Sequence, residues 1–215
     1  MKPSFAGLAA IALFGGTPAF ADDFTTGLAA IQHEWDAANY QTTGDTRGSA
    51  FEALVEHAAA FRTQYPTRAE AVAWEGIVLS SYAGEVSAMS AMKYAKAARA
   101  ALELAEQLDA TALGGGVYAS LGALYSKVPG GFIGFGDDKV AAQYFAKALA
   151  VDPDNIDNNY FYGEFLLDQG DHTQARSVLS HALAAPTVAD RPVFDEGRRQ
   201  EIRALLAIAE RKAAS

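Results

Sequence analysis

Residues 141–183 read AAQYFAKALAVDPDNIDNNYFYGEFLLDQGDHTQARSVLSHAL, and this stretch repeats itself. Ala141, Phe145 and Ala148 return 34 residues later as Ala175, Leu179 and Ala182. Ahead of the first set lies Tyr118-x2-Leu121-Gly122-x2-Tyr125, and ahead of the second Asn159-x2-Tyr162-Gly163-x2-Leu166. A fixed period of this length marks stacked helix pairs, each too small to bury its own apolar face. Gly and Ala at the crossings let two backbones approach, while the large side chains fill the space between neighbouring pairs.

Outward from this core the same grammar continues. Phe51–Tyr65, Ala91–Leu108, Lys139–Val151, Asn159–Asp168, Thr173–Ala184 and Glu196–Ala213 carry Ala, Leu, Glu, Gln and Lys at helical spacing. Breakers separate them at 44–48, Pro66, Gly114-Gly115-Gly116, 129–138, Asp152-Pro153, Gly170-Asp171 and 186–192. Trp74-x2-Ile77-Val78 followed by Ala98-x3-Leu102-x2-Ala105 reads as a degenerate copy. Trp35 with Leu54, Ala58, Phe61 and Pro66 reads as another. The expectation is an all-α solenoid of about four antiparallel helix pairs over residues 22–192, closed by a capping helix at 193–215. In that last helix Ile202, Leu205, Leu206 and Ala209 form the apolar side, with Arg198 and Arg199 among the residues opposite.

These strings resemble the tetratricopeptide repeat (TPR) family. The resemblance implies a superhelix whose concave groove is lined by the first helix of each pair. Carried onto this chain, the implied groove positions are Glu75, Leu79, Tyr82 and Ala83, then Ala119, Ala123, Ser126 and Lys127, then Tyr160, Glu164, Leu167 and Asp168. Glu75, Tyr82, Tyr160, Glu164 and Asp168 would make that groove acidic and aromatic, suited to a cationic or polar partner. A narrower resemblance is to the secreted tetratricopeptide components proposed to accompany tripartite (TRAP) substrate-binding transporters. It rests on layout and on the Leu124-Tyr125-x2-Val128-Pro129-Gly130 and Asn159-Tyr160-Phe161-Tyr162-Gly163 neighbourhoods, and it implies ligand or partner binding near a central groove or pore. Compared with the family spacing, the chain holds about seven extra residues between Tyr125 and Ala141 and about eight between Trp74 and Ala98. The first excess contains Phe132, Ile133 and Phe135, which either pack between helices or form a lid over a ligand.

Composition narrows the function. Of 215 residues none is cysteine, half are hydrophobic, and 17 basic stand against 26 acidic, for a formal charge of -9. That excludes a disulfide scaffold, thiolate metal sites and a cysteine nucleophile. The acidic balance disfavours nucleic acid or an anionic bilayer as a partner. Residues 1–21, MKPSFAGLAAIALFGGTPAFA, have the one lysine, short apolar run and Ala-x-Ala end of a secretory signal. With it cleaved near Ala21, the expectation is a soluble exported chain, periplasmic in a Gram-negative cell, with no membrane insertion.

No catalytic pattern stands out. The glycine-rich segment 130–136 lacks the lysine and order of a phosphate loop. Asp152–Asn159 alternates acids but reads as an interhelical turn that caps the following helix. No two of His33, His57, His172 and His181 lie three to five residues apart. Glu164 and Asp168 share a helical face, as a solvated surface also would. The expectations are therefore no enzyme, no cofactor and no metal. The leading function is a module binding a protein or peptide partner in its groove. The alternative is a small-ligand-binding accessory of a TRAP-type uptake system, and the remote one a hydrolase using groove carboxylates.

Overall fold

A computed structural model describes residues 20–213. The leader read at 1–21 thus lies, but for its last two residues, outside the described residues. Nine α-helices follow one another with no strand among the described residues: α1 (Phe20–Tyr40), α2 (Gly44–Gln64), α3 (Ala69–Ala83), α4 (Ala88–Leu108), α5 (Gly116–Lys127), α6 (Asp138–Val151), α7 (Ile156–Asp168), α8 (His172–Leu183) and α9 (Pro192–Ala213). They pack as α1/α2, α3/α4, α5/α6 and α7/α8, with α9 laid on α8, and this is the all-α solenoid of four pairs and a final helix. No helix among the described residues is long and apolar enough to cross a membrane.

Each pair crosses at a glycine. A Cβ built on Gly122 would meet the Phe145 ring at 2.8 Å, and one on Gly163 would meet Leu179 at 2.6 Å. On Gly76 it would meet Leu102 at 2.7 Å, and on Gly27 the Phe61 ring at 2.6 Å. Phe145, Leu179 and Leu102 are fully buried in these crossings. The missing side chain on one helix makes the room that a large one on its partner fills, at close-packed density. The two degenerate pairs therefore also have a crossing glycine, displaced along the helix from where the tryptophan alignment puts it. In α3 it is Gly76, so Trp74 occupies the place of Ser120 in α5 and Phe161 in α7, two residues ahead of the crossing glycine. Two residues amount to about 200° around a helix, so aligning Trp74 with Tyr118 turns the whole of α3 to the wrong face.

The two expected long turns resolve differently. Between α3 and α4 the connection is only residues 84–87, and the excess lengthens α4, which begins 14 residues before Leu102 where α6 begins seven before Phe145. Between α5 and α6 the excess is a true loop, 128–137. It folds back on itself, with Gly136 N–H donating to Pro129 O at 3.1 Å and Asp137 N–H to Tyr125 O at 2.9 Å. A Cβ on Gly134 or Gly136 would run into the backbone oxygens of Pro129 and Val128, which accounts for the glycine richness.

Polar groups secure the turns. Asp137, Asn155 and Asp171 accept hydrogen bonds from the first-turn N–H groups of α6, α7 and α8. Asn158, fully buried, donates to Gly114 O at 2.9 Å and to Ala148 O and Asp152 O at 3.1 Å, tying a 3-10 turn (Ala112–Gly115) to the α6–α7 connection. Arg199 donates to the carbonyls of Leu183, Ala185 and Pro186, satisfying the C-terminus of α8, and is itself held by Asp195 at 3.0 Å.

Gly163→Val forces the side chain into Leu179 and should cost about 1–3 kcal/mol by urea denaturation. The hydrogen bonds from Arg199 hold the Asp195 carboxyl below its ordinary 3.8. A depressed carboxyl contributes stability that is present above its unfolded value and lost as the pH falls through the folded one. Asp195→Asn should therefore lower Tm at pH 7, and its difference from wild type should shrink below pH 4.

Candidate functional site

The concave side of the solenoid is not an open trough. Residues of α1, α3, α5, α7 and α9 converge on one cavity of about 460 Å³. α1 presents Gln32, Trp35 and Asn39, and α3 presents Trp74, Ile77, Ser80 and Ser81. α5 adds Ala119, Ser120 and Ala123, and α7 adds Asp157, Tyr160 and Phe161. Val188 and Arg191, with Phe194, Arg198 and Glu201 of α9, complete the wall. Spacings of three and four residues put each set on one helical stripe.

What closes it is contact between the two ends of the described chain. Arg191 grips Asp36 through both Nε, at 3.1 Å, and Nη2. Asp36 is only 2% exposed. His33 Nε2 lies 3.0 Å from Asp190 O, and Tyr40 Oη donates to Glu201 at 3.0 Å. The Tyr40 ring sits where a Cβ on Gly197 would be, at 2.4 Å, so α9 can press onto α1 only through a glycine.

Arg198 lies at the centre of the wall. It is 4% exposed, pairs with Asp157 and Glu201 at 2.7 Å each, and stacks 4.0 Å from the Tyr160 ring centre. Burial alone would lower its pKa, but the Asp157 and Glu201 carboxylates outweigh that and hold it above its ordinary value. Burial pushes the Tyr40 and Tyr160 hydroxyls up, so both stay protonated at neutral pH. Arg191 meanwhile covers the faces of Trp74, at 5.2 Å, and Phe194, at 4.3 Å. Trp35 meets Trp74 edge to face at 6.3 Å and donates Nε1–H to Ser81 Oγ at 2.8 Å.

Of the six groove residues expected from the resemblance, Tyr160 lines this cavity. Ala119 and Ala123 of the wider set do so too. Glu75 is turned toward α2, where it pairs with Arg62 at 3.2 Å, and burial raises its pKa despite that partner. Tyr82 is buried against Tyr94, ring centres 4.7 Å apart. Lys127 bridges Glu164 at 3.1 Å and Asp168 at 2.6 Å, linking α5 to α7 away from the cavity wall. The three acids are thus paired with cations outside the cavity, and the acidic groove is replaced by an aromatic one with buried ion pairs. The α3 positions failed through the two-residue register shift described above. Arg198 was placed on the polar side of the last helix, yet it falls every fourth residue with Phe194 and Ile202, on the buried stripe; that spacing was the available signal.

The 128–137 loop does not reach the cavity. Phe135 packs edge-on against Tyr125 at 5.5 Å, with the Arg99 guanidinium 4.3 Å above its ring. Phe132 and Ile133 stand exposed at the loop tip. The segment lies beside α4, since a Cβ on Gly134 would come within 3.0 Å of Met92. No group of three His, Asp or Glu residues that could hold a metal occurs among the described residues.

Residues 133–188 match the tetratricopeptide repeat family model. The matched span runs from the loop tip through α6, α7 and α8, the stretch with the clearest internal repeat. With four successive helix pairs, this supports a TPR-type helical-repeat protein, a class that generally mediates protein–protein interaction. No curated protein matches the chain.

In the Asp36–Arg191 pair the aspartate is buried and the arginine largely so. Asp36→Ala leaves a guanidinium uncompensated and should cost about 3–5 kcal/mol by urea denaturation. Combining Asp36→Leu with Arg191→Met should recover most of that loss, as a thermodynamic cycle would show.

Proposed function

We propose that this protein is an exported TPR-type binding module that receives a compact ligand in the cavity closed by α9. The observation that carries this is the closure itself. About 460 Å³ of mostly apolar space is within the range of small-molecule sites. An extended peptide needs an open trough along the superhelix, and here Phe194, Arg198 and Arg191 stand across it. This favours the small-ligand alternative, in which the chain serves as an accessory of a TRAP-type uptake system, over a peptide groove. The export assignment rests on the 1–21 sequence. No pair of carboxylates inside the cavity is free to act in hydrolysis, since Asp157 and Glu201 both hold Arg198.

A second reading has its own observation. Phe132 and Ile133 at the loop tip, and Met89 one helical turn from Met92 on α4, are exposed large apolar side chains. A protein partner docking there would use the outside of the solenoid and leave the cavity to its ligand.

The chain incubated with a metabolite extract and examined by native mass spectrometry should retain a species below about 1 kDa. Ala123→Trp, which fills the cavity, should abolish that retention, whereas Phe132→Ser with Ile133→Ser should leave it intact. The reverse pattern, with retention sensitive to the loop and indifferent to Ala123→Trp, would overturn the cavity assignment.

A further inference from the structure

The cavity wall carries two arginines, yet neither is available to a ligand. Arg191 is engaged by Asp36, and Arg198 lies between Asp157 and Glu201. Two cations against three carboxylates leave one negative charge in excess, which opposes an anion. A cation fares no better. Four of the five rings lining the cavity already carry a guanidinium, Tyr160 and Phe161 that of Arg198, and Trp74 and Phe194 that of Arg191, which leaves Trp35. The three carboxylates that would draw it are each held by an arginine, so it would stand beside those two guanidinium groups in a space where desolvation is costly.

What remains open is neutral. The side chains of Gln32, Ser80 and Ser120 line the cavity and make no hydrogen bond to another protein group among the described residues. Trp74 is 6% exposed, and its Nε1–H is buried with no acceptor. A buried donor without a partner is uncommon in a folded chain and costs enough to need an explanation. That N–H has no accessible surface, so it is sealed within the wall and offers nothing to an occupant of the cavity. We infer that the cavity of this TPR-type module selects an uncharged ligand with an apolar body and a carbonyl or hydroxyl group that meets the free polar side chains of Gln32, Ser80 and Ser120. The inference rests on the cavity being the binding site, as proposed above, and adds the chemical class of what enters it.

The chain's own fluorescence reports on the site, because its two tryptophans, Trp35 and Trp74, both line the cavity. Three dyes of similar size supply the probes: prodan, a neutral naphthyl ketone; 1-anilinonaphthalene-8-sulfonate, an anion; and thioflavin T, a cation. Prodan should bind once per chain with blue-shifted emission and quenching of tryptophan, and the two charged dyes at least tenfold more weakly. Ser80→Ala removes a free hydroxyl from the wall and should weaken prodan about fivefold, the value of one neutral hydrogen bond. Ser120→Trp should abolish prodan binding, with Ala123→Phe as the second variant should the first not fold. Prodan that fails to bind wild type, or binds it no better than the charged dyes, overturns the inference. If the dye in the latter case is still lost on Ser120→Trp, the cavity stands as the site and only its selectivity for neutral ligands falls. Prodan binding that survives both filling variants removes the cavity as the site altogether.

Discussion

Everything distinctive about this molecule follows from the grip of its last helix on its first. A row of helix pairs is open at both ends and each pair needs contact only with its neighbours. Here Arg191 reaches Asp36, Glu201 takes the Tyr40 hydroxyl, and Gly197 lets the Tyr40 ring lie flat on α9. These contacts span about three quarters of the sequence and turn a linear stack into a closed wall. The concave face, which in an open superhelix would be a trough, becomes a half-open cavity lined by five helices.

The clasp also decides the cavity's chemistry. Burying Arg198 demands compensation, and the chain supplies it twice over, from Asp157 on α7 and Glu201 on α9. The aromatic rings then stack on the guanidinium groups and shield them further. Charge that could have recognised a partner is consumed in holding the wall together. The surfaces left for recognition are ring edges and small neutral polar groups.

Much of the fold was legible in the sequence because close helix crossings demand small residues at fixed spacing. The 34-residue return of Ala141, Phe145 and Ala148 identifies α6 and α8 as equivalent, and their bounds agree with the observed helices within a few residues. The site was less legible, for two physical reasons. A two-residue slip in matching α3 to α5 rotates it by about 200°, sending Glu75 toward α2 and bringing Trp74 inward. Periodicity also sorts residues by polarity, so a buried arginine on the stripe of Phe194 and Ile202 is assigned to solvent until its carboxylate partners, about 40 and 3 residues away, are seen beside it.

By itself the sequence determined the helices, their pairing and, in the last two pairs, the places where the backbones touch, since these depend on residues a few turns apart. It also showed extra residues between Tyr125 and Ala141, with Phe132, Ile133 and Phe135 among them, but not that two of these stand exposed while Phe135 packs. Only the tertiary structure decided that the stack closes, that the acids at Glu75, Glu164 and Asp168 are spent on Arg62 and Lys127, and that the concave face is aromatic. Those outcomes depend on which distant side chains meet. The free energy of a buried charge is set by what surrounds it in space, and no local pattern encodes that.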